Sequence, residues 1–498
     1  MNKKVKQITA AALAGASVLS FTACKKEQKT AESNVPTLIW YVPGDKQNDM
    51  ASVMEEANKI VEPAIGARID LQMIDAGAFQ EKMNMMMAAQ EKFDLVFTGA
   101  GNSYKDCVTK GGLLDITDMI DEYAPKLRDI VTDYAMDEVT IDGKIYGIPN
   151  MQIMVGQRAF NIQKKYADEF GLDCDSITCP EDLEPFLEWV HNKYPDLYPY
   201  HTGQGVGVWD CIYYSEKDYT LGYKTEDLID GDDHVDVVWL RETDIDQQAI
   251  DTLRRWYLAG YIRPDVLSVT DDTLDQKAGK YVVTTGMWKP GCEAELLART
   301  GREYVVIKYV QNYKKANNIQ SNTNFGGGAS NTMISVSRTC QNPEKAMKFI
   351  ELINTNTELY NLISFGIEGK HYTTDEENKI VLNADSGYYQ NASWKFGCTY
   401  NAKVMKGQDA NVWEETKRLN EKAIASPLAS FTFDTKPVVN EISAVTTINS
   451  QYKVLSTGSE DKSVYWEDYV SKMQTAGIEK IRQEYEKQVN EFLASRNK

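Results

Sequence analysis

The run Thr37-Leu-Ile-Trp-Tyr-Val42 is rich in β-forming residues, and it stops at Pro43-Gly44-Asp45, which is a turn signal. Outward from it, two segments with apolar residues at helical spacing alternate with two further strand-like runs, in the order 50–61, 67–74, 79–87 and 93–98. This strand–helix–strand–helix–strand order predicts a parallel sheet with helices packed on its faces, so the fold class is α/β. Such sheets bind ligands in the loops beyond the carboxyl ends of their strands.

The N-terminus predicts export and a lipid anchor. A basic start is followed by an apolar run over 8–21 that is too short to span a bilayer, which is typical of a secretory signal. The run ends in Phe21-Thr22-Ala23-Cys24, which resembles a bacterial lipobox with Phe in place of the usual Leu. An ordinary signal peptide cleaved nearby is the alternative. The resemblance implies a signal peptide over 1–23, lipidation of Cys24 and a flexible polar tether over 24–36, which places the protein on the extracytoplasmic face of the cell membrane.

Length and charge narrow the class of protein. The 498 residues suffice for two or three domains, and no apolar run after Cys24 is long enough for a membrane span. A net charge of −19 disfavours nucleic acid as a partner. Seven cysteines besides Cys24 cannot all pair, so we expect mostly buried free thiols. Cys174 and Cys179 are close enough for a local bridge, and the sequence leaves their state open.

Known sequence patterns for cofactors, metals and catalysis do not occur. Gly326-Gly-Gly-Ala-Ser lacks the Lys-Ser or Lys-Thr of a nucleotide-binding loop, and Gly203 to Gly207 lacks the third glycine of a dinucleotide fingerprint. The four histidines do not pair at metal-ligand spacing, and there is no Gly-x-Ser-x-Gly elbow. A glycan-degrading enzyme needs two carboxylates flanking the scissile bond, which 73 acidic residues cannot reveal by sequence alone.

Six segments, in order along nearly the whole chain from residue 37, resemble segments of the family 1 extracellular solute-binding proteins. They are WYVPGDKQ (40–47), DGKIYGIP (142–149), GMWKPG (286–291), NPEKAMKFI (342–350), GIEGKHY (366–372) and SPLASFTFDTKPV (426–438). The first and last narrow the resemblance to a subgroup of large lipoproteins with an extra C-terminal module of unknown function. The resemblance implies a two-lobed periplasmic-binding-protein-like fold, in which two α/β lobes joined by a hinge close on a ligand in the cleft.

The resemblance also implies a division of the chain into domains. We expect lobe 1 to comprise 37–150 and about 281–340, and lobe 2 to comprise 151–280 and about 341–425. We expect the remainder, 426–498, to be a largely helical C-terminal module packed on the lobes.

The function that the resemblance implies is that of the substrate-binding lipoprotein of an ABC importer. Such a protein captures a small solute, which we expect to be an oligosaccharide, and delivers it to the transmembrane permease subunits. We expect a monomer with no cofactor and no catalytic activity. Three alternatives stay open: a peptide-binding transport protein, a surface glycan-active enzyme and a ligand-sensing partner of a membrane kinase. Abundant aromatic residues and an acidic surface favour a sugar over a peptide.

Candidate ligand contacts are aromatic and polar residues at predicted strand ends and in loops. A sugar presents a C–H face to Trp and Tyr rings and a hydroxyl rim to carboxylate and amide groups. The candidates are Trp40, Tyr41, Asp45, Asn102, Ser103, Tyr104, Asn150, Gln152, Trp288 and Trp394. Core packing is the competing interpretation for each ring, and loop position favours Trp288 and Trp394 most. We expect Trp288→Ala and Trp394→Ala to weaken ligand binding while the protein still folds.

Overall fold

The structure is a computed structural model that describes residues 35–99, 102–203, 205–213, 216–218, 220–223, 234–269, 272–317, 325–326, 328–390, 392–425, 428 and 431–496. The predicted signal peptide, Cys24 and nearly all of the predicted tether lie outside the described residues. Within these ranges, no helix combines the length and the apolar character that a membrane crossing needs. The seven cysteines after Cys24 are described, and none of them, Cys174 and Cys179 included, forms a disulfide bond.

The strands and helices follow in chain order. The strands are β1 (Thr37–Pro43), β2 (Arg68–Ile74), β3 (Leu95–Gly99), β4 (Gly147–Pro149), β5 (Gln157–Gln163), β6 (Tyr198–Tyr200), β7 (Glu216–Asp218), β8 (Leu221–Tyr223), β9 (Val238–Trp239), β10 (Tyr281–Trp288), β11 (Tyr304–Ile307), β12 (Phe325–Gly326), β13 (Thr332–Val336), β14 (Tyr372–Thr374), β15 (Ile380–Leu382) and β16 (Ile424–Ala425). The α-helices are α1 (Met50–Ile65), α2 (Ala76–Ala88), α3 (Tyr104–Thr109), α4 (Thr117–Tyr123), α5 (Leu127–Ile130), α6 (Asp133–Val139), α7 (Lys164–Phe170), α8 (Glu184–Lys193), α9 (Gly207–Tyr213), α10 (Asp244–Leu258), α11 (Thr273–Ala278), α12 (Cys292–Thr300), α13 (Tyr309–Ala316), α14 (Pro343–Thr355), α15 (Thr357–Phe365), α16 (Val412–Glu421), α17 (Val439–Gln451), α18 (Val454–Thr457), α19 (Lys462–Ala476) and α20 (Ile478–Arg496). Short 3₁₀ helices span Cys174–Ser176, Pro180–Leu183, Leu240–Glu242, Ala329–Asn331, Ser393–Lys395, Thr399–Asn401 and Lys436–Val438.

The first sheet, in lobe 1, has the strand order β2-β1-β3-β13-β4. β1 runs parallel to β2 and β3, and β13 runs antiparallel to β3 and β4. Alternation along β1 turns Leu38, Trp40 and Val42 into the core. The predicted parallel arrangement of the first three strands is therefore confirmed.

The second sheet, in lobe 2, has the strand order β11-β5-β10-β6. β10 is antiparallel to β5 and parallel to β6, and β11 pairs with the other side of β5. The expectation that about 281–340 belongs to lobe 1 is thus wrong for 281–316, because β10 is a central strand of the second sheet. The expectation that about 341–425 forms part of lobe 2 is also wrong, because α14 and α15 pack against α1 in lobe 1.

Two separate hydrophobic cores define the lobes. The core of lobe 1 draws on residues between 38 and 154 and between 329 and 402. The core of lobe 2 draws on residues between 160 and 309 and also on the C-terminal module, between 428 and 493. The module therefore shares its core with lobe 2 and is helical through α17 to α20.

Among the elements that the structure describes, the chain passes from one lobe to the other three times. The first crossing joins β4 to β5 through residues 150–156, the second lies between α13 and β13, and the third follows α16. β12 of the second crossing pairs in parallel with β16 of the third. The hinge implied by the family resemblance thus consists of three crossing segments. The second and third segments are hydrogen-bonded to each other through β12 and β16.

Candidate ligand-binding cleft

Strand ends from both lobes meet at the first crossing. In the first sheet, β1 ends at Pro43, β4 ends at Pro149, and the antiparallel β13 begins at Thr332 on the same edge. In the second sheet, β10 ends at Trp288 directly opposite Gln157, where the first crossing enters β5. The carboxyl edge of the first sheet and the β10 end of the second therefore flank the hinge, which is where α/β folds of this kind bind ligands.

A buried polar floor lies on the lobe 1 side of this cleft. Asn150 is 1% exposed; its Nδ2 donates to the Trp394 carbonyl at 3.2 Å, and its backbone N–H donates to the Thr332 carbonyl at 2.8 Å. Its Oδ1 has no hydrogen-bond donor among the described residues. Gln152 donates from Nε2 to Thr332 Oγ1 at 2.8 Å. A buried acceptor without a donor is rare in folded proteins and marks a position where a ligand or a water can bind.

Lys395 is a functional candidate that the sequence reasoning missed. The side chain is 5% exposed, and its Nζ donates to the Pro43 carbonyl at 2.8 Å, which is its one hydrogen bond to a described residue. Burial lowers the pKa of this ammonium to about 8, against an opposing effect of Asp45. An ammonium has three donors, so two remain for a ligand at the edge where β1 ends. Nothing in the local sequence indicates this burial, because lysine is almost always exposed.

The two favoured tryptophans lie on opposite lobes. Trp394 is half-buried and meets Phe97 edge-on, with ring centroids 6.1 Å apart. Trp288 is half-buried, and Lys308 Nζ lies 4.1 Å from the centroid of its ring. This cation–π contact covers one face of the indole and orients it. The structure thus places Trp394 beside the polar floor and Trp288 at the facing strand end.

Trp40 and Tyr41 do not reach the cleft. Trp40 has no exposed surface, and its ring packs edge-on against Phe349 and Phe396 in the lobe 1 core. Tyr41 lies on the other face of β1 and meets Phe93, which precedes β3, edge-on at 5.8 Å. The prediction that these two residues contact the ligand is wrong. Strand alternation buries the Trp40 ring in the core and turns the Tyr41 ring toward the amino end of the neighbouring strand.

Asn102 and Tyr104 hold the loop after β3 in place. Asn102 is 1% exposed and donates from Nδ2 to the Phe97 carbonyl at 3.0 Å. Tyr104 is 2% exposed, and its hydroxyl donates to the Val139 carbonyl at 2.8 Å. Their polar groups are used inside the protein, so both are withdrawn as ligand contacts. Ser103 is the N-cap of α3, while Asp45 is exposed in the loop after β1.

The lobes also touch through direct hydrogen bonds. The Tyr389 hydroxyl, in lobe 1, donates to the Ala298 carbonyl of α12 at 3.1 Å. Lys105 Nζ of α3 donates to the Phe431 carbonyl, which belongs to the core of lobe 2. These contacts lie away from the crossings, so the spacing of the lobes in this structure is set by more than the hinge.

Metal chemistry has no support in the described part of the chain. No group of three or more His, Cys, Asp or Glu side chains there is arranged to hold a metal ion.

Comparison with known proteins matches both the fold and the extra module. Residues 427–494 match a family described as a domain of unknown function, DUF3502. A Streptococcus pneumoniae protein named "carbohydrate ABC transporter substrate-binding protein" is 28% identical over 477 residues, which is 94% of each chain.

Two solved structures extend this similarity to three dimensions. The crystal structure of the N-glycan transport solute-binding protein NgtS from Streptococcus pneumoniae is 25% identical, with a TM-score of 0.75 over 93% of this chain and 100% of that one. Its complex with Man1GlcNAc is 25% identical, with a TM-score of 0.73 over 92% and 100% of the two chains. The predicted two-lobed fold is confirmed.

Proposed function

We propose that this chain captures an oligosaccharide between its lobes and delivers it to a membrane permease. This is the role of a solute-binding protein of an ABC transporter, the class that both the sequence resemblance and the similar proteins indicate. The observation that carries the proposal is the placement of two half-buried tryptophans on opposite lobes at the first crossing: Trp394 lies beside the polar floor of lobe 1, and Trp288 ends β10 of lobe 2. One ligand can contact both lobes only when they approach, so it binds the closed state better and shifts the equilibrium toward closure.

The chemistry of the cleft fits a sugar. Each half-buried indole offers a flat apolar face to a C–H patch, and Trp and Tyr rings are suited to ligands with one apolar side and one polar side. The floor offers one free acceptor, Asn150 Oδ1, and spare donors on Lys395 Nζ. A hydroxyl both donates and accepts, so sugar hydroxyls suit both kinds of group.

The relatives support the same class of ligand. The similar Streptococcus pneumoniae protein is named for carbohydrate, and the NgtS structure is described in complex with Man1GlcNAc. A mannose- and N-acetylglucosamine-containing glycan is therefore the first ligand to test.

A binding screen tests the proposal. Residues 36–498 form one compact unit, so a soluble protein starting at Pro36 is suitable for a thermal-shift panel of oligosaccharides, peptides and amino acids that includes Man1GlcNAc and Man5GlcNAc. A ligand that binds only the folded state raises the melting temperature by mass action. A shift with glycans alone, with no loss of glycan on incubation, supports the proposal. A shift with peptides alone would replace the sugar by a peptide, and release of shortened glycan would indicate an enzyme.

Membrane attachment through Cys24 belongs to the same proposal. A lipidated Cys24 would hold the protein at the extracytoplasmic surface, where the permease is within reach of the tether. Metabolic labelling with a fatty acid should mark the full-length protein but not the Cys24→Ser variant. Equal labelling of both would contradict the lipid anchor while leaving the ligand proposal intact.

A further inference from the structure

A single buried amide ties the first crossing to the helix that precedes the third. Asn420 is 1% exposed and lies one residue before the end of α16. Its Oδ1 accepts the Met154 backbone N–H at 2.8 Å, and its Nδ2 donates to the Gln152 carbonyl. The same Nδ2 donates to the Tyr400 hydroxyl at 2.8 Å. The side chain thus satisfies the backbone carbonyl of Gln152 and the backbone N–H of Met154 within the crossing.

The preceding residues of the crossing are held to lobe 1 as well. The Met151 carbonyl accepts the backbone N–H of Thr399 at 2.7 Å and its hydroxyl at 3.0 Å. Thr399 follows the Trp394 segment in lobe 1, so the crossing is fixed to that lobe as far as Met154. Only Val155 and Gly156 remain between this anchored stretch and β5.

The third crossing leaves lobe 1 beside the same amide. α16 ends at Glu421, and β16 begins at Ile424, where it pairs with β12 of the second crossing. Lys422 and Ala423 are therefore the corresponding short link on this side. One side chain fixes the points at which two of the three crossings depart from lobe 1.

We infer that Asn420 is a positioning residue that sets the pivot of lobe closure, by confining the bending of the first crossing to residues 155–156 and the bending at the lobe 1 end of the third crossing to residues 422–423. The inference rests on the proposed function only in that closure on a ligand is the motion concerned. Its bonds lie within lobe 1 and the crossing, so they persist whether the cleft is open or shut. Without the amide, residues 152–154 gain freedom in the open state, and closing then costs more conformational entropy.

The chain offers a matched control in Asn361. This asparagine is 4% exposed, donates from Nδ2 to the Thr357 and Asn401 carbonyls at 2.7 Å each, and accepts the Lys403 N–H at 2.7 Å. All of its partners lie inside lobe 1. Asn361→Ala should therefore disturb folding as Asn420→Ala does, yet leave the pivot unchanged.

The test needs no ligand for its main readout. Hydrogen exchange of the ligand-free protein should show the Met154 amide exchanging about fivefold faster in Asn420→Ala than in the wild type and in Asn361→Ala, since the net loss of one hydrogen bond is worth about that factor. Small-angle scattering should show a larger radius of gyration for Asn420→Ala alone. Asn420→Asp, which keeps an acceptor for the Met154 N–H but loses the donor to the Gln152 carbonyl, provides a second variant if the alanine variant folds poorly. Unchanged exchange, or equal changes in the Asn361 control, would overturn the inference. If Man1GlcNAc then fails to bind the wild type, only the proposed function is affected.

Discussion

Replacing Lys395 by Met tests two properties of the buried ammonium separately: how much its burial destabilises the folded protein, and whether it contributes to ligand binding. The pKa of this ammonium falls from 10.5 to about 8 because burial disfavours the charged form. That difference corresponds to about 3 kcal/mol of destabilisation while the folded state carries the charge. The variant also loses the hydrogen bond to the Pro43 carbonyl, worth about 1 kcal/mol. We therefore expect Lys395→Met to raise the free energy of unfolding at pH 7 by about 2 kcal/mol.

The gain should depend on pH in a defined window. Because the folded pKa lies below the unfolded value, the cost of the wild-type lysine is complete below pH 8, where both states are protonated. Between pH 8 and 10.5 the unfolded chain holds more protons than the folded one, so wild-type stability from this group rises with pH. The difference between variant and wild type should be largest near pH 7 and should fall to about zero near pH 10, where the remaining cost of the charge equals the loss of the hydrogen bond.

Urea unfolding at pH 7 and at pH 10 measures both quantities. Lys46→Met is the control, since Lys46 is exposed in the loop that follows β1 and should change stability by no more than about 0.5 kcal/mol. If the ammonium serves the ligand, Lys395→Met should also weaken glycan binding. A variant that is less stable than the wild type at pH 7, or a gain that does not change with pH, would refute the reasoning, because the ammonium would then be well satisfied in the folded protein.

The remaining predictions concern the cleft and its spacing. Trp288→Ala and Trp394→Ala should each weaken glycan binding at least about tenfold in calorimetric titration. Both variants should keep the circular dichroism spectrum of the folded protein. Normal binding by both would show that the ligand does not bind at these tryptophans. Tyr389→Phe removes the hydroxyl bond to the Ala298 carbonyl and should enlarge the ligand-free radius of gyration in scattering, whereas an unchanged radius would show that this contact does not hold the lobes. Gly291→Ala should destabilise the protein by about 1–2 kcal/mol in urea unfolding, because Gly291 has φ +76° and an added Cβ would lie 2.7 Å from the side-chain amide nitrogen of Gln408 in lobe 1. An unchanged midpoint would mean that the Gln408 side chain moves aside at no cost.

The sequence predicts the first sheet because its signals are local. β1, β2 and β3 follow one another with helices between them, so periodicity alone identifies the parallel unit. The second sheet lacks this advantage. The run Tyr281–Trp288 is recognisable as a strand, but its partners β5 and β6 lie about 80 to 130 residues earlier, and pairing over such distances leaves no local trace. The assignment of this strand to the wrong lobe follows from that.

The candidate site shows the same division. Trp288 and Trp394 could be selected because each stands at a strand end or in a loop. Trp40 could have been rejected, since alternation along 37–43 places it inward with Leu38 and Val42. Lys395 could not be foreseen, because its amine bonds a carbonyl 352 positions earlier, and the hydrogen bond from Asn420 to Gln152 likewise spans 268 positions.

The C-terminal module is best understood as part of lobe 2. Its last helix, α20, supplies backbone partners to the extended segment before β9: Asn490 bonds both the N–H and the carbonyl of Val235, at 2.9 and 3.1 Å. Glu486 accepts the Val237 N–H at 2.9 Å, and Arg482 donates to the Val237 carbonyl at 2.9 Å. These side chains replace the neighbouring strand that this segment lacks, and unpaired buried backbone groups are costly. Because the module completes both this edge and the core of lobe 2, we expect lobe 2 to depend on the module for its folding and the two to move as one body against lobe 1.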